Sequence, residues 1–207
     1  AVLLNEVKNK HLKKIMQTVS YLPHFLSWII VTGLVSNVLA VDDGIINELI
    51  VLFGGERIHF LGDPKYFWAI VGLSHVWKGM GWNSIVYLAA MTSIDPGLYE
   101  AAEIDGANRF RRALHITLPG IKSTAVVLLI LNVGWILNAG FEVQFLLGNG
   151  IVNDVAETID IFVIKRGLAL NNFSIATAAG MFKGVVSIIL IGICNFVAGK
   201  LGEEQVV

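Results

Sequence analysis

Glu100–Ala101–Ala102, three residues, Gly106, nine residues, then Ile116–Thr117–Leu118–Pro119: this is the most polar long stretch in the second half of the chain. It lies between two runs apolar enough to cross a bilayer. Asp95 is suited to cap a helix, and Pro96 fits the first helical position. The pattern predicts a short helix through Glu100–Ala101–Ala102–Glu103, stopped by Gly106 in the left-handed conformation. It predicts a second short helix over about Ala107–Ile116 carrying Arg109, Arg111 and Arg112, with Pro119 ending the motif and opening the next span. Small alanines let a helix backbone lie close in a groove, and Glu100 offers a carboxylate to an arginine or to backbone donors. A charged helix–turn–helix between two membrane spans is a surface for a soluble partner. The alternative is a solvated loop with ordinary turn residues.

Composition supports the membrane reading. Of the 207 residues 55% are hydrophobic and 15% charged, and the mean hydropathy is +0.70. Soluble domains carry about 25% charged residues. The chain is therefore expected to be all-α and polytopic, because backbone groups in a bilayer core have no water to bond. The net charge of −1 gives no basic field for nucleic acid. The single Cys194 excludes an internal disulfide and reads as a small packing residue. The five histidines have no metal spacing, and no nucleophile–base constellation or pair of hydrolytic acids is evident.

Four spans are expected, near 18–40 (interrupted by Pro23), 67–91, 121–140 and 174–199. Lys8, Lys10, Lys13 and Lys14 precede the first; Arg109, Arg111, Arg112 and Lys122 lie between the second and third; Lys200 follows the fourth. The other two loops hold Arg57, Lys65, Lys165 and Arg166 among more acids than bases. The positive-inside rule places both ends and the 95–119 segment in the cytoplasm. In the outer loops, Ile45–Phe53 reads as a short interfacial helix. Asp154–Glu157 reads as a helix start, with Gly167 as its stop.

Polar residues inside the spans form a second group of candidates. Lys78 and Lys183 sit near mid-span, where a cation costs at least about 2.5 kcal/mol. Each is expected to face a water-filled cavity, a partner subunit or a counter-charge, either in a structural role across a subunit interface or as a residue of the translocation path. Lys183 shares a helical face with Ala176, Ala179, Gly180, Ser187 and Cys194, a stripe of small residues suited to close packing. In the third span Asn132, Trp135 and Asn138, followed by Glu142, fall within about a third of the helix circumference. Amides, a carboxylate and an aromatic face suit a sugar, and Asn83 and Trp82 could add to such a lining. The plainer reading is that the amides cross-link helices and the tryptophans sit at the interface.

The spacing of Glu100, Ala101, Ala102, Gly106, Ile116, Leu118 and Pro119 resembles, without a gap, the signature of bacterial ABC importer permeases. Val19–Trp28, Trp77–Lys78 with Gly81–Trp82, and Asp95–Pro96 through Ile104–Ala107 are similar to the carbohydrate-uptake type, and most of all to LplB-like polysaccharide or oligosaccharide permeases. The resemblance implies a MetI-like bundle of six helices, of which two would be absent here, so that the chain reads as an N-terminally truncated permease. It implies a second permease subunit, two cytoplasmic ATPase subunits and an extracytoplasmic solute-binding lipoprotein. Glu100, Ala101, Ala102 and Gly106 would form the coupling helix seated in the ATPase, with Ile116, Leu118 and Pro119 closing the motif. The implied activity is alternating access driven by ATP. No Gly-x-x-x-x-Gly-Lys-Ser/Thr loop occurs in the chain, so no cofactor is expected on it and ATP belongs to the partner. A permease for a non-sugar solute and a non-transporting scaffold or sensor are the competing readings.

Overall fold

A bend interrupts the first apolar run. In the computed structural model, which describes residues 1–7, 9–138 and 140–200 (Asn138 and Leu168 by backbone alone), a helix over Lys10–Tyr21 gives way to a 3-10 turn at Leu22–Phe25. A new helix then runs over Trp28–Val38, turned by 105°. Pro23 cannot donate to the helix ladder and clashes with the preceding turn. Ser27 restarts the helix by accepting from the Ile30 N–H. The span expected over 18–40 is thus a broken helix, not a straight one.

Among the described residues every regular element is helical. Phe173–Lys200, with a mean hydropathy of 2.1 over its most apolar window, is the one helix among the described residues long and apolar enough to cross a membrane alone. Its 28 residues reach about 42 Å at 1.5 Å per residue. Two bent pairs pass the same test together: the first run just described, and Arg109–Gly120 with Lys122–Gly134, bent by 58°. Pro64–Thr92 is an unbroken helix of 29 residues containing the expected second span.

The third span differs from expectation. Its helix covers Lys122–Gly134 and leaves α geometry at Trp135, followed by a 3-10 turn at Ile136–Asn138. Gly140 adopts φ 66°, and a separate helix starts at Phe141. The run looked continuous because its breakers, Gly134 and Gly140, are as apolar as their neighbours.

The chain divides into two compact units. The first comprises Ala1–Leu22, Gly79–Ile136 and Val185–Val207. Here Asn9 caps the first long helix by accepting from the His11 and Leu12 N–H groups. Gly81 faces the Ser20 carbonyl so closely that a Cβ would overlap it, so two backbones meet at this point.

The second unit comprises Pro23–Lys78 and Leu137–Gly184. Its core is Phe67, Ile70, Val71, Val143, Leu147, Val152 and Ala156, with Trp28, Val35 and Phe60 against it. The short helix expected over Ile45–Phe53 is present at Ile45–Leu52. Its buried Asn47 donates to the Ala40 and Ile58 carbonyls (2.9 and 3.0 Å) and accepts from the Ile58 N–H (2.8 Å), tying the loop together. Arg57 adds bonds to the Val41 and Asp42 carbonyls and to Glu48. The helix expected from Asp154 to Gly167 is corrected. One turn forms at Asn153–Ala156, Glu157 is extended, and Thr158 caps a new helix at Ile159. Gly167 lies inside a π-helical stretch, Val163–Leu168, where it is small because Ala176 packs on it.

Candidate functional site: a docking segment and two mid-span lysines

The polar segment belongs to the first unit. Asp95 accepts from the Gly97 N–H at 2.8 Å, and the helix runs Pro96–Ile104. Gly106 takes φ 74°, and its neighbour Ala107 returns a hydrogen bond to the Ala102 carbonyl at 2.8 Å. That is the helix stop expected from the glycine. The second helix is shorter than expected. Asn108 caps it, accepting from Arg111 N–H at 2.9 Å, and four α-helical residues pass into a π-helical turn at Ala113–Thr117. Pro119 lies in a final turn, Leu118–Gly120, and the span helix starts at Lys122.

Two contacts that the spacing does not reveal hold the halves of the segment together. Arg112 reaches Glu103 at 2.9 Å, and the Tyr99 hydroxyl meets Thr117 Oγ1, which is buried, at 2.9 Å. Glu100 and Ala101 remain exposed and Ala102 is half-buried. Ile104 is 87% exposed and Phe110 75% exposed. Both flank Gly106, in a segment too polar for hydrocarbon. Neither stood out in the sequence, where an isoleucine and a phenylalanine read as inward-facing.

Lys78 and Lys183 both belong to the second unit, each with partners of its own. Lys78 Nζ donates to the carbonyls of His24 (2.6 Å) and Leu26 (2.7 Å), approaches that of Pro23 (3.5 Å) and lies over the Trp28 ring. These carbonyls are freed by the Pro23 break. A broken helix in lipid must have its freed groups bonded from elsewhere, and the lysine does this. In place of the expected cavity, subunit or counter-charge, the partner of Lys78 is backbone. Lys183 Nζ meets Asp160 at 2.6 Å, with side chains 13% and 29% exposed. Asp160 lies in the first turn of the Ile159–Phe162 helix, and no local pattern singles it out.

The polar stripe of the third span is corrected. Asn132 donates to the Leu128 carbonyl of its own helix at 2.7 Å. Trp135 caps the helix end, 72% exposed, and Glu142 stands exposed on a different helix. The shared helical phase therefore does not hold beyond Gly134. The Asn138 side chain, like Lys8, lies outside the described residues. Asn83 is exposed on the Pro64–Thr92 helix in the first unit. On the Lys183 face, Ala176, Ala179, Ser187 and Cys194 are half-buried, as a packing stripe requires, while Gly180 is exposed.

The profile of the family described as binding-protein-dependent transport system inner membrane component matches residues 1–202. The polygalacturonan/rhamnogalacturonan transport system permease protein YteP of Bacillus subtilis is 50% identical over 206 residues, all of this chain and 64% of that one. Protein LplB of the same organism is 46% identical over 204 residues, 99% of this chain and 64% of that one. A chain in the crystal structure of a bacterial alginate ABC transporter, in complex with alginate pentasaccharide-bound periplasmic protein, superposes with a TM-score of 0.95 at 40% identity. That likeness covers 99% of this chain and 71% of the other. The chain thus spans just under two thirds of the curated relatives it matches. Its helices have the MetI-like permease fold, and it belongs to the family of binding-protein-dependent transport system inner membrane components.

Proposed function

We propose that this chain is a transmembrane permease subunit of an ATP-driven ABC importer that moves an oligo- or polysaccharide into the cytoplasm by alternating access. The observation that carries the energy coupling is the 95–119 segment. It is capped at both helix starts, cross-tied by Glu103–Arg112 and Tyr99–Thr117, and leaves Ile104 and Phe110 exposed beside Glu100 and Ala101. Exposed apolar side chains outside a bilayer mark a contact surface. A rigid, locally tied helix is what a mechanical load needs. The residues that carry it are Glu100, Ala101, Ala102 and Gly106, with Ile116, Leu118 and Pro119 anchoring the segment to the third span.

Two of the similar proteins are a polygalacturonan/rhamnogalacturonan transport permease and a chain of an alginate transporter. A uronate-bearing oligosaccharide is therefore the first solute to test. On this reading the chain is a transport subunit rather than an enzyme. It carries no cofactor and works with a second permease, a pair of ATPase subunits and a solute-binding protein. Pro64–Thr92 supplies a fourth crossing beside the three that pass by length and apolarity, and both ends of the chain are cytoplasmic. Asn83, Asn132, Trp135, Asn138 and Glu142 remain candidates for the solute path. The test is uptake of labelled galacturonate oligosaccharide by the complete transporter, with and without this subunit. Uptake that persists without it would sink the proposal.

A further inference from the structure

We infer that a groove between the Trp28–Val38 helix and the first half of the Pro64–Thr92 helix, all within the second unit, holds one acyl chain of an anionic phospholipid whose headgroup sits at Lys65. The groove is lined by Leu34, Val38, Ile46, Leu73 and Trp77, with Tyr66 at one end, and its volume is about 590 Å³. Its walls offer little to a polar ligand. The hydroxyl in mid-groove, that of Ser74, is already bonded to the Ile70 carbonyl at 2.7 Å. A saccharide ring here would leave its water without gaining partners in return.

Among apolar occupants, length and thickness decide. From Tyr66 to Trp77 the helix advances about 16 Å at 1.5 Å per residue. That is close to the hydrocarbon depth of one leaflet, about 15 Å, half of a core about 30 Å thick. Spread over that length, the volume has a mean cross-section of about 37 Å². A helix is about 10–12 Å across with its side chains, too wide to sink between these walls. An extended acyl chain is not.

Lipid tails are as apolar as leucine, so the walls alone give no preference over the surrounding bilayer. The preference comes from the end of the groove. Lys65 is exposed at the start of its helix, with Nζ 5.5 Å from the centroid of the Tyr66 ring. Tyr66 meets Phe60 edge-on at 5.3 Å, and tyrosine is enriched at the level of the headgroups. Asp63 accepts from the Lys65 backbone N–H at 2.9 Å, which fixes that carboxylate at the helix start. Among the described residues no carboxylate pairs with the Lys65 ammonium. A lipid phosphate at this end completes the charge, while its tail follows the groove.

The inference rests on the proposed crossing of the bilayer by Pro64–Thr92. The test uses the complete transporter in nanodiscs. The probe is phosphatidylglycerol with a diazirine in mid-chain, and the control is its phosphatidylcholine counterpart. After photolysis, adducts are mapped along Pro64–Thr92 by mass spectrometry. Phosphatidylglycerol should label residues 66–77 about fivefold more than phosphatidylcholine, the increment of one lysine at the headgroup level. Lys65→Ala should remove that excess. Ala69→Phe, which puts a ring into the groove, should remove labelling of this stretch by either lipid. Both positions are exposed, so the melting temperature should hold in both variants. Equal labelling by the two lipids, or an excess that survives Lys65→Ala, overturns the site. Adducts confined to the second half of the helix mean that another part of the assembly covers the groove, and overturn the site alone. No adduct anywhere on Pro64–Thr92 overturns the crossing beneath it.

Discussion

The two polar regions of the chain solve opposite problems. The segments 41–63 and 141–172 bond many of their polar groups internally. Asn47 and Arg57 tie down loop carbonyls, Lys165 is shared by Asn153 and Glu157, and a core of aliphatic side chains lies under them. The 95–119 segment is as well capped locally, yet it leaves Ile104 and Phe110 facing out. The polar groups of the first region are satisfied within it; on the proposed reading the second region meets a partner. Substitutions in the first should therefore be read in stability, and substitutions in the second in coupled transport.

The largest stability effect should come from Lys78, whose partners, like those of the first region, lie within the second unit. Lys78→Met leaves the His24 and Leu26 carbonyls without their donor. Both residues are half-buried, so at about 1–2 kcal/mol for each hydrogen bond lost, thermal unfolding of the purified transporter should show a loss of about 2–4 kcal/mol. A melting curve indistinguishable from wild type would remove Lys78 from the account of the bend. Next in size is the Lys183–Asp160 pair. Lys183→Met or Asp160→Asn alone should cost about 2 kcal/mol, less than a fully buried pair because Asp160 is partly exposed. The double variant should recover part of that loss, and simple additivity would show that the two charges do not couple.

The other region should respond in rate. Ile104→Ser with Phe110→Ser should leave the melting temperature within a degree or so, since both side chains are exposed and such surface changes stay within about 0.5 kcal/mol. ATP-driven uptake should fall by about tenfold, the equivalent of roughly 1.4 kcal/mol of contact. A stability loss with intact uptake would reverse the contrast between the two regions. The smallest effect is Gly106→Ala. No atom lies within 4 Å of where its Cβ would sit, so the cost is the positive φ alone, about 1 kcal/mol. It should appear as a modest drop in uptake per ATP hydrolysed, and a null result would show that the segment tolerates a different turn.

What could be read from the sequence was local. Asp95 as a cap, Pro96 at the first turn and Gly106 as the stop each depend on residues within a few positions, and each was found where expected. The Phe173–Lys200 helix was legible because nothing interrupts it. What escaped was of two kinds. Distant partners leave no mark in a local pattern: Lys78 serves carbonyls 52 to 55 residues before it, and Asp160 precedes Lys183 by 23. Breaks made by glycine in an apolar run are equally silent, so the third span was drawn through Trp135 to Gly140 although the helix stops at Gly134. The candidate docking residues were visible as a motif, but the exposed Ile104 and Phe110 that give it an apolar face were not.

The grip of Lys78 on the carbonyls behind Pro23 has a consequence for heredity and for engineering. The kink and the cation are two halves of one part, encoded more than fifty residues apart. A permease that straightened this helix by losing Pro23 would strand an ammonium in the bilayer, and one that lost Lys78 first would strand the carbonyls. Neither single step is neutral, so the pair should change together or not at all. A chimera that grafts the 19–28 segment into another permease should need a lysine at the matching position of the following long helix.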